Sequence, residues 1–185
     1  MTTAPRVSQR STALVAVTAG RALVAAVLAA VVTFSADHTP AFGLLVLGLF
    51  GVVFGLVSVF GAAVHPLAPV GRGLVVARSV VFLLGGVAAL ALSGGGLLAL
   101  VVVQAVVFLL AGAFEVLSGV RRDGPPETAG DAVVVGGLEV LVGLMLVILD
   151  QDAVFTVGVL GAWGAIVAVY LGIAAVSLRR REARP

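Results

Sequence analysis

Apolar residues run almost unbroken through six stretches of this chain, at about 12–34, 42–64, 74–92, 97–120, 132–149 and 153–178. Each is close to the ~20 residues that a helix needs to cross the hydrocarbon core of a bilayer. Turn-forming clusters separate them: Ser35-Ala-Asp-His-Thr-Pro40, His65-Pro66 through Gly73, Ser93-Gly-Gly-Gly96, Arg121-Arg-Asp-Gly-Pro-Pro126 and Asp150-Gln-Asp152. Backbone groups in lipid must be satisfied within their own segment, so stretches of this length predict helices. A membrane barrel would need period-2 alternation over about ten residues, and the chain has none. The expected fold is an all-α integral membrane protein with six transmembrane helices.

Composition narrows that picture. Hydrophobic residues make up 61% and charged residues 11% of 185, against about 45–50% and 25% in soluble domains. A soluble domain is excluded. The absence of cysteine removes disulfides, thiolate metal sites and a cysteine nucleophile. A pI of about 10.4 invites nucleic acid as a partner, but the net charge is only +2 and all eleven basic residues are Arg. Their placement explains them. One set of loops and tails holds Arg6, Arg10, Arg72, Arg121, Arg122, Arg179, Arg180, Arg181 and Arg184, whereas the opposite loops hold no Arg but Asp37, Asp150 and Asp152. The positive-inside rule then puts both termini in the cytoplasm, which needs an even number of spans. Arg6 and Arg10 could also head a signal peptide, but Arg21 interrupts the stretch, which is too long for an h-region, and Phe34 would fill a small-residue cleavage position. The expected organisation is a cytoplasmic tail at 1–11, one transmembrane domain at 12–178 and a basic tail at 179–185.

The chain resembles itself. Val46-Leu-Gly-Leu-Phe-Gly51 returns as Val159-Leu-Gly-Ala-Trp-Gly164, 113 residues on, and Arg21-Ala-Leu-Val24 returns as Arg78-Ser-Val-Val81, 57 residues on. Three helical hairpins, at about 12–64, 74–120 and 132–178, fit both offsets. Each holds two spans, so all three enter the membrane the same way round, as parallel repeats about a pseudo-threefold axis; many secondary transporters use inverted repeats instead. Gly48, Gly51, Gly55, Gly158, Gly161 and Gly164 are candidates for close helix packing, since small residues let backbones approach.

Four charges fall inside spans: Arg21, Arg78, Glu115 and Glu139. Each would cost about 2.5–3.5 kcal/mol or more in lipid unless paired or hydrated. At 1.5 Å per residue, Arg78 and Glu115 lie about 8 Å from the cytoplasmic ends of their spans, Glu139 about 12 Å and Arg21 about 15 Å. Depth therefore predicts an outer pair, Arg78 with Glu115, and an inner pair, Arg21 with Glu139. The alternative for the outer two is separate snorkelling to the interface. Gln104 is expected to hydrogen-bond between helices.

Catalytic constellations are thin. His38 and His65 fall on opposite sides of the membrane and cannot share a metal. Ser35, His38 and Asp150 have the residue types of a triad but no fixed geometry. Gly94-Gly-Gly96 lacks the Lys-Ser/Thr of a phosphate loop, and Asp150 with Asp152 are few carboxylates for calcium. No catalytic residue, metal or cofactor is expected.

The three-hairpin layout resembles the HdeD-like family of small bacterial membrane proteins, whose odd helices often open on an Arg-small-hydrophobic step that runs to a glycine. Arg21-Ala-Leu-Val and Arg78-Ser-Val-Val, with Gly85-Gly86 following, are similar to that step. In the third repeat the family often has Glu in place of Arg, and Gly137-Leu-Glu139-Val-Leu-Val-Gly143 is similar to that. The span Gly161-Ala-Trp-Gly-Ala-Ile166, running to Ser177-Leu-Arg-Arg-Arg-Glu182, is the closest local match. Of the outer turns, only the first carries the family's usual proline, Pro40. The resemblance implies a six-helix protein of the bacterial plasma (inner) membrane, associated with stress and acid resistance and without known catalytic activity. Two functions compete: a non-enzymatic membrane protein that assembles with itself or a membrane partner, and a small transporter or channel lined by the Arg/Glu set. Lipid is the expected partner of either, and nucleic acid of neither.

Overall fold

The computed structural model describes residues 4–64, 67–122 and 128–182, with side chains for 12–64, 67–122 and 128–181. These residues form six helices: α1 (Ala4–Phe34), α2 (Pro40–Val64), α3 (Pro69–Ala91), α4 (Gly96–Arg121), α5 (Ala129–Ile148) and α6 (Ala153–Glu182). All six are long and apolar enough to span a bilayer. His65, Gly124, Pro125, Pro126 and Arg184 lie outside the described residues, as do the side chains of Arg6 and Arg10.

Helix ends follow local chemistry more than the limits of the apolar runs. Pro40 and Pro69 open α2 and α3, where a missing N–H removes nothing. Thr39 Oγ1 accepts from the Phe42 amide at 3.3 Å, and Asp152 Oδ1 from the Phe155 amide at 2.7 Å, so each caps a helix N-terminus. Gly96, at φ +72°, takes a backbone conformation that side chains resist. Several helices therefore outrun the apolar stretches. α1 reaches back to Ala4, α3 to Pro69 and α5 to Ala129, and Arg179, Arg180 and Arg181 form the last turn of α6. Cations there suit the helix dipole.

The helices pack in a ring in chain order. The most extensive seams are α2 on α3, α4 on α5 and α6 on α1, so the last helix closes against the first. The even-numbered helices also touch one another at the centre. Along the axis, the side chains form layers. Leu44, Leu47, Leu100 and Leu160 fill the end that carries no arginine. Next come Phe50, Phe54, Phe82, Phe108 and Trp163, with ring centroids 4.9–6.5 Å apart and mostly edge-to-face, the arrangement that aromatic quadrupoles favour.

Glycines set the spacing of the seams. A methyl added at Gly86 would stand 2.7 Å from the Val52 nitrogen, and one at Gly51 2.8 Å from the Phe82 oxygen. Related contacts recur around the ring. Gly55 faces the Ser79 oxygen at 3.0 Å and Gly112 faces the Gly136 oxygen at 2.7 Å, measured from such a methyl; both partners have moved on by 57 residues. Gly51 against the Gly86 nitrogen (3.2 Å) is matched on the third seam by Gly164 against the Ala29 nitrogen (3.4 Å).

Candidate functional site

The four intramembrane charges meet in one alternating chain. Arg21 Nη2 lies 2.7 Å from Glu115 Oε1, Glu115 Oε2 pairs with Arg78 Nε, and Arg78 Nη2 lies 2.6 Å from Glu139 Oε1. α1, α4, α3 and α5 are joined in that order. Arg78, Glu115 and Glu139 are 3%, 6% and 0% exposed, whereas the Arg21 side chain keeps 18%. Two positive and two negative groups cancel formally, so the cluster can stay buried without a net charge.

Aromatic faces complete the setting. The guanidinium carbons of Arg21 and Arg78 lie 5.3 and 5.1 Å from the Phe54 ring centre, and that of Arg78 lies 4.9 Å from Phe82. A cation over an aromatic face is attracted by the ring quadrupole, a contact worth about 2 kcal/mol or more when desolvated. Ser58 gives its proton to the Phe54 carbonyl at 2.8 Å, and its oxygen lies 3.5 Å from Arg78 Nη1.

The expected outer pair, Arg78 with Glu115, forms. The expected inner pair does not: Arg21 joins Glu115, and Glu139 joins Arg78. Depth supplies only one coordinate, and lateral position decided the partners. α1 packs on α6 and α2, while α5 packs on α4, so Arg21 and Glu139 stand on opposite flanks of Arg78 and Glu115. Glu139 also departs from the expected arginine position. In the 57-residue register of the seam contacts, Val135 stands where Arg21 and Arg78 stand, and Glu139 falls one turn deeper, at the level of Phe82.

The glycines divide similarly. Gly48, Gly51 and Gly55 pack on α3, and Gly161 and Gly164 pack on Val32 and Ala25 of α1, but Gly158 meets nothing within 4 Å. A helical wheel sets 158 about 60° from 161 but about 120° from 164, at the margin of the face that meets α1. Gly86, Gly112 and Gly136 are equally close contacts. Gln104 Nε2 donates to the Thr156 carbonyl at 3.4 Å, linking α4 to α6.

Beside the charge chain, toward the arginine-rich helix ends, lies a cavity of about 130 Å³. Every helix contributes to it. Arg21, Arg78 and Glu115 floor it, and Asp131, bonded to Tyr170 at 3.0 Å, stands among its lining. It was not legible in the sequence, because it arises where six helix ends converge.

On the opposite face, Ser35 and Asp37 serve a turn. Ser35 Oγ accepts from the Asp37 amide at 3.1 Å, and Asp37 Oδ1 accepts from the Thr39 amide at 2.8 Å. That backbone bond, with a lesser one from the Thr39 side chain, holds the Asp37 carboxyl below its ordinary value. The depressed value means that the turn is favoured above the ordinary aspartate pKa of ~3.9 and loses that support as pH falls through the lower folded value. Protection of the Thr39 amide, relative to the intrinsic exchange rate at each pH, is expected to fall over that acid window, and not to do so in Asp37→Asn.

Residues 77–148 match a family described as a short repeat of unknown function (DUF308). It is a family of membrane-associated short repeats to which HdeD-like proteins belong. The matched segment holds Arg78, Glu115 and Glu139 and stops short of Arg21. No curated protein and no solved structure matches the chain.

Proposed function

We propose that this chain is a non-enzymatic, multi-pass protein of a bacterial plasma membrane, of the HdeD-like kind associated with stress and acid resistance. It is built as three parallel helical hairpins with both termini cytoplasmic, and it is closed to flux. The repeat reading is supported by three alike seams, by contacts that recur 57 residues apart and by a matched family that is itself described as a short repeat. Orientation is supported by Arg121 and Arg179–Arg181, which end α4 and α6 on one side.

One observation carries the functional reading: the charge chain, which lines a cavity only toward the arginine-rich helix ends, abuts an aromatic layer that fills the axis beyond it. A conducting path would continue in polar groups, whereas the far end of the axis is filled by leucines. The protein then acts by holding its shape in lipid and assembling with further copies or a membrane partner; no cofactor or metal enters, and no nucleic acid.

Reconstitution into liposomes tests this. Neither the native chain nor Arg21→Ala is expected to pass protons, cations or anions faster than empty vesicles. A saturable flux lost in Arg21→Ala would make the chain a transporter lined by the Arg/Glu set.

A further inference from the structure

The cavity has a chemical bias that the charge chain alone does not explain. The arginines of its floor keep donors that Glu115 does not engage. Both Glu115 oxygens are held by arginines, and Asp131 Oδ1 accepts from Tyr170. Arg21 Nε is buried with no hydrogen-bond partner among the described residues, and Arg78 Nη1 reaches Ser58 Oγ only at 3.5 Å, the outer limit of such a bond. The lining holds two guanidiniums and two carboxylates, Glu115 and Asp131. Asp131 lies in the first turn of α5, bonded to Tyr170, while Glu139 lies behind Arg78 and outside the lining, so Glu115 is the carboxylate that the two guanidiniums share.

Above this donor-rich floor the walls are apolar, with Val17, Leu74, Phe114 and Leu171 among them. A cavity of about 130 Å³ is close to the ~150 Å³ that accepts one benzene molecule. We propose that the cavity binds a small organic carboxylate, its head group on Arg21 and Arg78 and its apolar body against the walls. An anionic lipid head group shares that chemistry. The lining draws on all six helices and reaches Leu67 and Thr128 at their arginine-rich ends, so access is axial and the ligand is a soluble acid from that aqueous side. The proposal goes beyond the closed, non-enzymatic reading and does not rest on it, because binding is read at equilibrium without a gradient.

Calorimetric titration of the full chain in zwitterionic nanodiscs supplies the test, with benzoate as probe and benzamide as its neutral isostere. Saturable benzoate binding is expected, with benzamide at least tenfold weaker. Arg21→Gln is expected to weaken benzoate at least tenfold. Ser118→Phe, which fills the cavity from α4 without removing a charge, is expected to do the same while Trp163 fluorescence reports an intact core. Equal binding of the two probes, or unchanged benzoate binding in both variants, would overturn the proposal. In discs containing phosphatidylglycerol, benzoate affinity is expected to hold; its loss there would overturn the assignment to a soluble acid.

Discussion

Glu115→Ala is expected to destabilise this protein more than any other single neutralisation in the charge chain except that of Arg78. Among the described residues, Glu115 is the only carboxylate on Arg21 and one of two on Arg78. Its removal leaves two guanidiniums to share Glu139, which only Arg78 reaches. Breaking a buried ion pair from one side costs about 3–5 kcal/mol, because the remaining charge stays desolvated. Arg21→Ala is expected to cost less, since Arg21 is the most exposed of the four and Glu115 keeps Arg78. The double variant Arg21→Ala/Glu115→Ala is expected to be more stable than Glu115→Ala alone, by roughly 1 kcal/mol or more, as coupled neighbours show. Trp163, the single tryptophan, is buried against Phe108, so its emission reports unfolding in a detergent titration. A double variant whose loss equals the sum of the two single losses would mean that Arg21 and Glu115 are not coupled.

Gly86→Val is expected to be comparably damaging by a different route. The first added carbon would meet the Val52 nitrogen at 2.7 Å and the Gly48 oxygen at 2.8 Å. These are backbone atoms of a neighbouring helix, so α2 and α3 must part, and overpacking of this kind costs about 1–3 kcal/mol and occasionally more. Residues 78, 82 and 86 share one face of α3 by their spacing of four. Displacing that face draws Phe82 from the aromatic layer and Arg78 from its carboxylates. The expected readout is a lower unfolding midpoint with red-shifted Trp163 emission. Gly172→Val, where nothing lies within 4 Å, is expected to leave both unchanged.

What could be read from the sequence follows from where chemical contrast exists. The spans were legible because length and apolarity are set by the bilayer, and the helix ends were less so because caps such as Thr39 and Asp152 act on either side of the apolar limit. Arg21, Arg78, Glu115 and Glu139 stood out as charges where lipid disfavours them. Their partners did not, since depth along a span says nothing about which helix stands alongside. Phe54 and Phe82 were invisible as members of the site: an aromatic ring in an apolar run has no contrast with its neighbours, and only the placement of two guanidiniums gives it a role. Gly51 and Gly164 were marked by a recurring motif, whereas the importance of Gly86, Gly112 and Gly136 depends on what faces them.

The alternation of the charge chain also fixes an order in time. Ribosomes make α1 and α3 before α4 and α5, so Arg21 and Arg78 reach the bilayer while neither glutamate yet exists. Each guanidinium must wait at the interface or carry an insertion cost of about 2.5–3.5 kcal/mol. Burial of the first half of the chain is thus conditional on synthesis of the second. A nascent chain arrested after α3 would hold two cations that the glutamates of α4 and α5 have yet to answer.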